Sequence, residues 1–324
     1  EEDIEHNVGH CYKCDTVIQP LVKDQWFLRI KPLAERAIKA LEAGEITFTP
    51  ESRKNLLVQY MRGLRDWNLS RQIPWGIPIP AFQNISDPND WIFDPRVDEQ
   101  RIVVNGTTYI REEDTFDTWF SSGQWPYIVT EYLQGGDLSR FYPNSVMETG
   151  ADLLDRWVAR MIMLGLYTTD QVPFRHVYLH GMVLDEKGQK MSKSKGNVIN
   201  PMESISEYGS DALRMGIVAS RSAGQNQAFS IAKVVAGRNF ANKLWNISRF
   251  ILDKLGEGYK PAPPEPRSVA DHWIIRQLNT AAATIDDQLA SYRIAEASET
   301  VYHTLWDDVA DWFIESSKTE DNLP

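Results

Sequence analysis

A chain of 324 residues, 42 % apolar and 24 % charged, has the size of about two ordinary domains and a globular composition, which excludes a disordered tail, a collagen-like fibre and a disulfide scaffold. The net charge of −11, from 45 acidic against 34 basic residues, excludes a nucleic-acid coat over the whole surface and leaves a local basic stripe open. The most apolar stretch, residues 157–167, is broken by Arg160 and is shorter than the roughly 18–20 residues of a membrane helix, so no membrane partner is expected. With no basic-then-apolar leader at its start, the chain reads as cytoplasmic. It opens Glu1-Glu2-Asp3 without an initiator Met, which reads as part of a longer chain.

Residues 1–30 read as extended and irregular. Within them Cys11 and Cys14 form a C-x-x-C pair, a spacing that suits half a zinc site, a redox pair or two reduced thiols in a turn. A structural zinc needs four ligands, and adding His6 and His10 would crowd all of them into nine positions. A helix is predicted over 32–43, stopped by Gly44, and another from Thr49-Pro50 to about Gly63, each with proline near its start and glycine past its end. Residues 67–82, with three prolines, read as turns and short strands. Asn105-Gly106 between 101–104 and 107–110 predicts a tight hairpin. A strand into Gly150, a helix from Asp152 to about Gly165 and a strand near 176–184 predict a parallel strand–helix–strand unit.

Beyond Pro201 the chain reads as helical. One amphipathic pattern runs from Ile231 to Leu255. A linker with four prolines covers 256–266, and two more helices are marked by Ile274, Leu278, Ala281, Ile285 and Leu289, then Ile294, Ala297, Val301, Leu305 and Trp312. The architecture predicted is α/β first and all-α second.

Four lysines fall within nine positions of this acidic chain, in the segment 184–197 that follows a predicted strand. Open α/β sheets bind ligands in loops at the carboxyl ends of parallel strands, where ammonium groups can neutralise charge developing on phosphates. Composition alone favours a solvated basic turn. The string Lys190-Met191-Ser192-Lys193-Ser194, continued by Lys195-Gly196-Asn197-Val198, resembles the K-M-S-K-S signature of class I aminoacyl-tRNA synthetases. Asp66-Trp67-Asn68-Leu69-Ser70-Arg71-Gln72, then Trp75-Gly76 and Pro78-Ile79-Pro80, resemble a run of the Val/Ile/Leu subgroup. Asp117-Thr118-Trp119-Phe120-Ser121-Ser122 and Asn239-Phe240-Ala241-Asn242-Lys243-Leu244-Trp245-Asn246 are similar to the valyl form, and both argue against an isoleucyl or leucyl relative. The chain thus resembles the carboxyl-terminal part of the valyl-tRNA synthetases, with matches from about residue 7 to residue 252.

The resemblance implies the second half of a Rossmann-like catalytic domain followed by a helical bundle of the anticodon-binding type. It divides the chain into a return from an editing insertion (1–30), a connective region (31–115), the half-domain with the lysine loop (116–200), a stem-contact-like segment (201–230) and the bundle (231–324). The implied activity joins valine to ATP, with Mg2+ accompanying the nucleotide, and passes the valyl group to tRNA(Val). Lys190 and Lys193 would stabilise the pentavalent transition state of adenylate formation. Thr149-Gly150-Ala151-Asp152 resembles the family's T-G-x-D, where Gly150 admits the ribose and Asp152 accepts its hydroxyl hydrogens; Asp152 serves equally as a helix N-cap. His180, Gly181, Met182 and Val183 resemble the H-G-x-V strand end that lies against adenine and ribose. A lone histidine on an apolar strand is otherwise a core residue. Trp119 and Trp157 match the tryptophans walling the valine pocket, though either alone reads as core.

Three departures stand out. No His-Ile-Gly-His element occurs, the editing domain is missing, and the stretch 84–110, where the family often carries further cysteines, has none. Cys11 and Cys14 resemble a zinc knuckle whose partner cysteines lie upstream, so they supply half a site at most and no tightly bound zinc is expected. The chain alone is therefore expected to be nearly inactive in valyl-adenylate formation, and the absent amino-terminal half is a possible partner in trans. If it is instead a natural product complete in itself, the alternative is a non-catalytic RNA-binding or regulatory module. In the first long helix Lys233, Arg238, Lys243, Arg249 and Lys254 face a single acid, Asp253, whereas residues 286–315 hold eight acids and one basic residue, Arg293. Surface variation accounts for such a division; with the resemblance, Lys233, Arg238, Lys243 and Arg249 become a tRNA-binding face.

Overall fold

The structure, a computed structural model, describes residues 7–11, 14–19, 21–192, 195–219 and 222–318. Its elements follow in chain order. The first part holds β1 (Phe27–Leu28), α1 (Lys31–Glu42), β2 (Thr47–Thr49), α2 (Ser52–Arg62), β3 (Trp67–Asn68) and β4 (Ser70–Arg71). Next come β5 (Ala81–Asn84), β6 (Asp87–Phe93), β7 (Arg101–Val104), β8 (Thr107–Arg111), β9 (Thr115–Phe116), α3 (Thr118–Ser122) and α4 (Trp125–Val129). The central unit is β10 (Asn144–Gly150), α5 (Ala159–Thr169), β11 (Phe174–His180) and β12 (Val183–Leu184). Then follow α6 (Pro201–Tyr208), α7 (Ser210–Val218), β13 (Gln227–Ala228), α8 (Ile231–Leu255), α9 (Val269–Ala290) and α10 (Ile294–His303), which runs on as π-helix over Thr304–Ile314.

The main sheet has the order β10-β11-β2, with both pairs parallel, and Gly150 stands opposite His180 at its carboxyl edge. Its core is made by α1 and α5. In α1, Ala34, Ala37, Ala40 and Leu41 recur on one buried face, and Met161 and Ile162 of α5 pack against Phe174, Val177 and Leu179 of β11. Among the described residues β10 has no second strand partner, so its outer edge is open.

The cysteine-free stretch 84–110 lies within a four-stranded antiparallel sheet of order β6-β5-β8-β7. Asn105 and Gly106 take φ of 52° and 81°, as the tight hairpin requires. Phe82, Ile102 and Tyr109 form its small core, and the Asp90 carboxylate accepts from Asn84 Nδ2 at 2.8 Å and the Tyr109 hydroxyl at 3.0 Å. Phe27, paired with Asn68 in the two-stranded β1–β3 sheet, is 59 % exposed. Trp26 is covered instead, edge-on to Trp91 at 5.1 Å, with its indole N–H donating to Glu112 at 2.9 Å.

The bundle touches the main sheet through a ring stack. His176 of β11 lies face-on to Tyr292, in the α9–α10 turn, with centroids 4.0 Å apart and planes within 7°. Its Nδ1 and Nε2 pair with the hydroxyls of Thr47 and Thr49 at 2.7 and 3.1 Å, and burial lowers its pKa. α9 starts with a capping box formed by Ser268 and Asp271.

Candidate active site

The carboxyl edge of the main sheet collects the residues singled out in the sequence. β10 ends at Gly150, and a 3₁₀ turn over Ala151–Leu153 folds the chain back. A Cβ at position 150 would lie 2.6 Å from Asp152 Oδ1 and 3.5 Å from His180 Nε2. Glycine therefore lets the carboxylate swing over the strand end and leaves the imidazole facing the same space. The second role open to Asp152 falls away: it lies inside the turn, and the caps of the π- and α-helical turns that follow are Leu153 and Val158. The helix predicted from Asp152 also begins differently, with 3₁₀ and π turns before regular α-helix at Ala159. Glu148, two residues before Gly150, engages His180 Nδ1 and leaves Nε2 toward the edge.

Gly181 meets backbone. A Cβ there would lie 1.7 Å from the carbonyl oxygen of Gln225, because residues 224–229 run alongside 179–184. Leu179 O accepts from Gly224 N at 2.7 Å, Met182 O from Gln227 N at 3.0 Å and Leu184 O from Phe229 N at 2.9 Å. Met182 N donates to Asn226 Oδ1 at 2.8 Å, and Val183 pairs with Gln227 in the parallel β12–β13 register. This crossing carries β12 straight into the lysine loop.

The loop turns at Asp185. One carboxylate oxygen accepts from Lys187 N at 3.0 Å and Gln189 N at 2.7 Å, and the other from Asn197 Nδ2 at 2.9 Å. These donors lower the Asp185 pKa, the Asn197 amide foremost. Asn197 Oδ1 in turn accepts from Ser192 N at 2.9 Å. Lys190 leaves this turn to place Nζ 3.7 Å from Asp152 Oδ2. Lys193 lies outside the described residues.

Trp119 opens α3, where Asp117 Oδ1 accepts its N–H at 3.2 Å. Asp117, buried, also takes the Trp67 indole N–H and a guanidinium N–H of Arg71, each at 2.9 Å. The D-W-x-x-S-R run and the D-T-W-F run therefore meet at one carboxylate, which the sequence reading did not single out. A cavity of about 450 Å³ lies beside it, lined by Trp67, Arg71, Asp117, Trp119 and Arg160. Trp157 does not line it; its indole N–H donates to Ser122 O at 3.0 Å and its ring packs on the main core.

Cys11 and Cys14 are unbridged thiols in a turn closed by Asp15 N to Cys11 O at 2.8 Å. A hydrogen bond with the Thr16 hydroxyl lowers the Cys14 pKa. Among the described residues no three His, Cys, Asp or Glu side chains converge to hold a metal ion. On α8, Lys233, Arg238 and Arg249 are exposed, and Arg238 lies 5.7 Å from the Tyr208 ring centroid. Lys243 departs from the expected basic face. Its ammonium pairs with Asp311 at 2.6 Å and sits 4.7 Å from the Trp306 ring centroid, because α8 turns this position toward the acidic π-helical segment.

The chain belongs to the class I tRNA synthetases (I, L, M and V), whose family model matches residues 7–230, and an anticodon-binding domain of tRNA ligases matches residues 271–323. It is similar to the valine–tRNA ligase of Dehalococcoides mccartyi strain CBDB1, 41 % identical over 319 residues, covering 98 % of this chain and 36 % of that protein. The valine–tRNA ligase of Thermotoga maritima is 42 % identical over 326 residues, with the same shares covered. The chain thus spans about a third of the length of the curated relatives it matches. A methionyl-tRNA synthetase of Mycobacterium tuberculosis, solved with methionyl-adenylate, shares the fold at a TM-score of 0.70 and 20 % identity, over 98 % of this chain and 58 % of that one. No described helix is long and apolar enough to cross a membrane.

Proposed function

We propose that this chain supplies the second half of the nucleotide site and the lysine loop of a valine–tRNA ligase, an enzyme that joins valine to ATP, releases pyrophosphate and transfers the valyl group to tRNA(Val). The observation that carries the reading is the meeting of Lys190 and Asp152, 3.7 Å apart at the carboxyl edge of the main sheet. Asp152 accepts the ribose hydroxyl hydrogens, Gly150 admits the sugar, and the free Nε2 of His180 faces it. Gly181 keeps the strand end flush, with Met182 and Val183 beyond it toward the base. Lys190 and Lys193 meet the charge that builds on the phosphates as pyrophosphate leaves, an interaction strongest in the transition state. Mg2+ enters with the nucleotide. Trp119, at the cavity beside Asp117, bounds the valine side chain, and Lys233, Arg238 and Arg249 face the tRNA backbone. The open edge of β10 suits a strand of the amino-terminal half, supplied in cis or in trans. A cytoplasmic location goes with this reaction and rests on it.

The test is the thermal shift of the chain with a non-hydrolysable valyl-adenylate analogue, alone and mixed with the amino-terminal half of a valine–tRNA ligase, with the isoleucyl analogue as control. A ligand at 100 times its Kd stabilises the folded state by roughly 2.7 kcal/mol. A valyl-selective rise is the expected result. Equal rises with both analogues refute the valyl assignment, and no rise even in the mixture refutes the site.

A further inference from the structure

The lysine loop is thirteen residues long between Asp185 and Asn197, and its tips must carry ammonium groups to one place at one moment. An untethered loop of that length has many conformations, and each lowers the share of time Lys190 spends over the nucleotide edge. The structure ties the loop at its base. Asp185 and Asn197 join through Asn197 Nδ2 and Asp185 Oδ2 at 2.9 Å. Asp185 also fixes the backbone N–H groups of Lys187 and Gln189, while Asn197 fixes Ser192 N and reaches Lys190 O at 3.3 Å. The residues on both sides of Met191 are thus held by one amide, and Ile199 N approaches the Met191 sulfur at 3.5 Å. Leu184 and Lys190 form an antiparallel bridge, so Lys190 leaves the clamp in a set direction, and that direction ends at Asp152.

We propose that Asp185 and Asn197 are positioning residues for the adenylation step, a clamp that aims Lys190 at the nucleotide edge without touching the substrate itself. The proposal rests on the ligase reading above. Preorganised charge is worth most when it needs no rearrangement as the reaction proceeds, and a misplacement of about 1 Å can cost about a hundredfold in rate. The clamp predicts a specific pattern of substitutions. Asp185→Asn sets a donor against either Asn197 Nδ2 or the two backbone N–H groups. Asn197→Asp sets carboxylate against carboxylate. The double exchange restores a donor–acceptor pair: the amide at 185 accepts the backbone N–H groups and donates to the carboxylate at 197, which still accepts Ser192 N.

The experiment has two arms. In this chain alone, hydrogen exchange of the 185–197 amides is followed for the wild type, both single variants and the double variant; the singles are expected to exchange faster and the double to return toward wild type. In the chain joined to the amino-terminal part that its relatives carry, valine-dependent ATP–pyrophosphate exchange is measured. Each single variant is expected to lose about a hundredfold in kcat with KM for ATP and valine within about threefold, and the double variant to regain at least about tenfold. Unchanged kcat in the singles, or a double variant no better than the worse single, overturns the clamp. Wild type without any valine-dependent exchange refutes the ligase reading instead, and the amide arm then decides the clamp by itself: a double variant whose amides stay fast overturns it.

Discussion

Gly181→Ala tests whether the crossing of residues 179–184 and 224–229 holds the carboxyl edge of the main sheet together. The added methyl would lie 1.7 Å from Gln225 O, 2.0 Å from Gln225 C and 2.5 Å from Asn226 N. All are main-chain atoms, and no side chain can turn away to make room. One of the two segments must move by more than an ångström, which breaks the contacts next to the clash: Gly224 N to Leu179 O, Met182 N to Asn226 Oδ1 and Gln227 N to Met182 O. Three hydrogen bonds at roughly 0.5–1.5 kcal/mol each give a loss of roughly 1.5–4.5 kcal/mol, and for a chain of 324 residues a melting temperature lower by roughly 2–7 °C. Gly9→Ala, with nothing within 4 Å of the new methyl, is the control. Thermal unfolding followed by circular dichroism supplies the comparison. If Gly181→Ala melts with the control, the close approach of the two segments is wrong, and with it the path by which β12 enters the lysine loop.

Two further outcomes can be checked on the same chain. Burial holds the His176 pKa below its ordinary value, so the unfolded chain binds the proton more readily; this contribution to stability is complete above the ordinary histidine pKa of about 6.5 and declines as pH falls below it. His176→Phe keeps the ring against Tyr292 but cannot titrate, and should flatten the fall in melting temperature between about pH 7 and pH 5; an unchanged slope would assign the acid response to other groups. Phe82→Ala, at a fully buried site in the small antiparallel sheet, should cost roughly 3–5 kcal/mol. Amide protection in 101–111 should be lost while that of β10 and β11 persists, and loss in both sheets together would show that they unfold as one.

Much of this molecule was legible in its residues where a local signal decides the outcome. Asn105-Gly106 demands positive φ at two successive positions, and the hairpin follows. The alternation of 145–184 has one reasonable solution, a parallel pair bridged by a helix. Lys190, Met191 and Ser192 follow β12 directly, as the strand-then-loop reading of 176–197 predicts. Other features depend on partners far away in sequence. β13 has two residues and no periodicity, and it exists because 224–229 is drawn along 179–184. Lys243 counts as one more positive charge until α8 is packed, and then its ammonium belongs to Asp311. Asp117 carries no mark of its own, since its importance comes from Trp67 and Arg71, about fifty residues upstream. Asp185 had a readable signal that went unused: an aspartate three residues before a glycine is a common turn, and Gly188 has φ of 74°.

The stack of His176 on Tyr292 places the bundle on a row of rings. His176, Tyr178 and His180 alternate along β11 and so share one face of the sheet. Tyr292 rests on the first of them and comes within 6.1 Å of the second, while the third stands opposite Gly150 at the carboxyl edge of the sheet. Four residues of strand span about 13 Å, with β10 paired along the whole of that length and β2 along 176–178. The strand acts as a gauge block: the α9–α10 turn is seated at one end and the carboxyl edge of the sheet, with Gly150 opposite His180, lies at the other. The bundle therefore meets directly the strand that ends at this edge, with no loop between them.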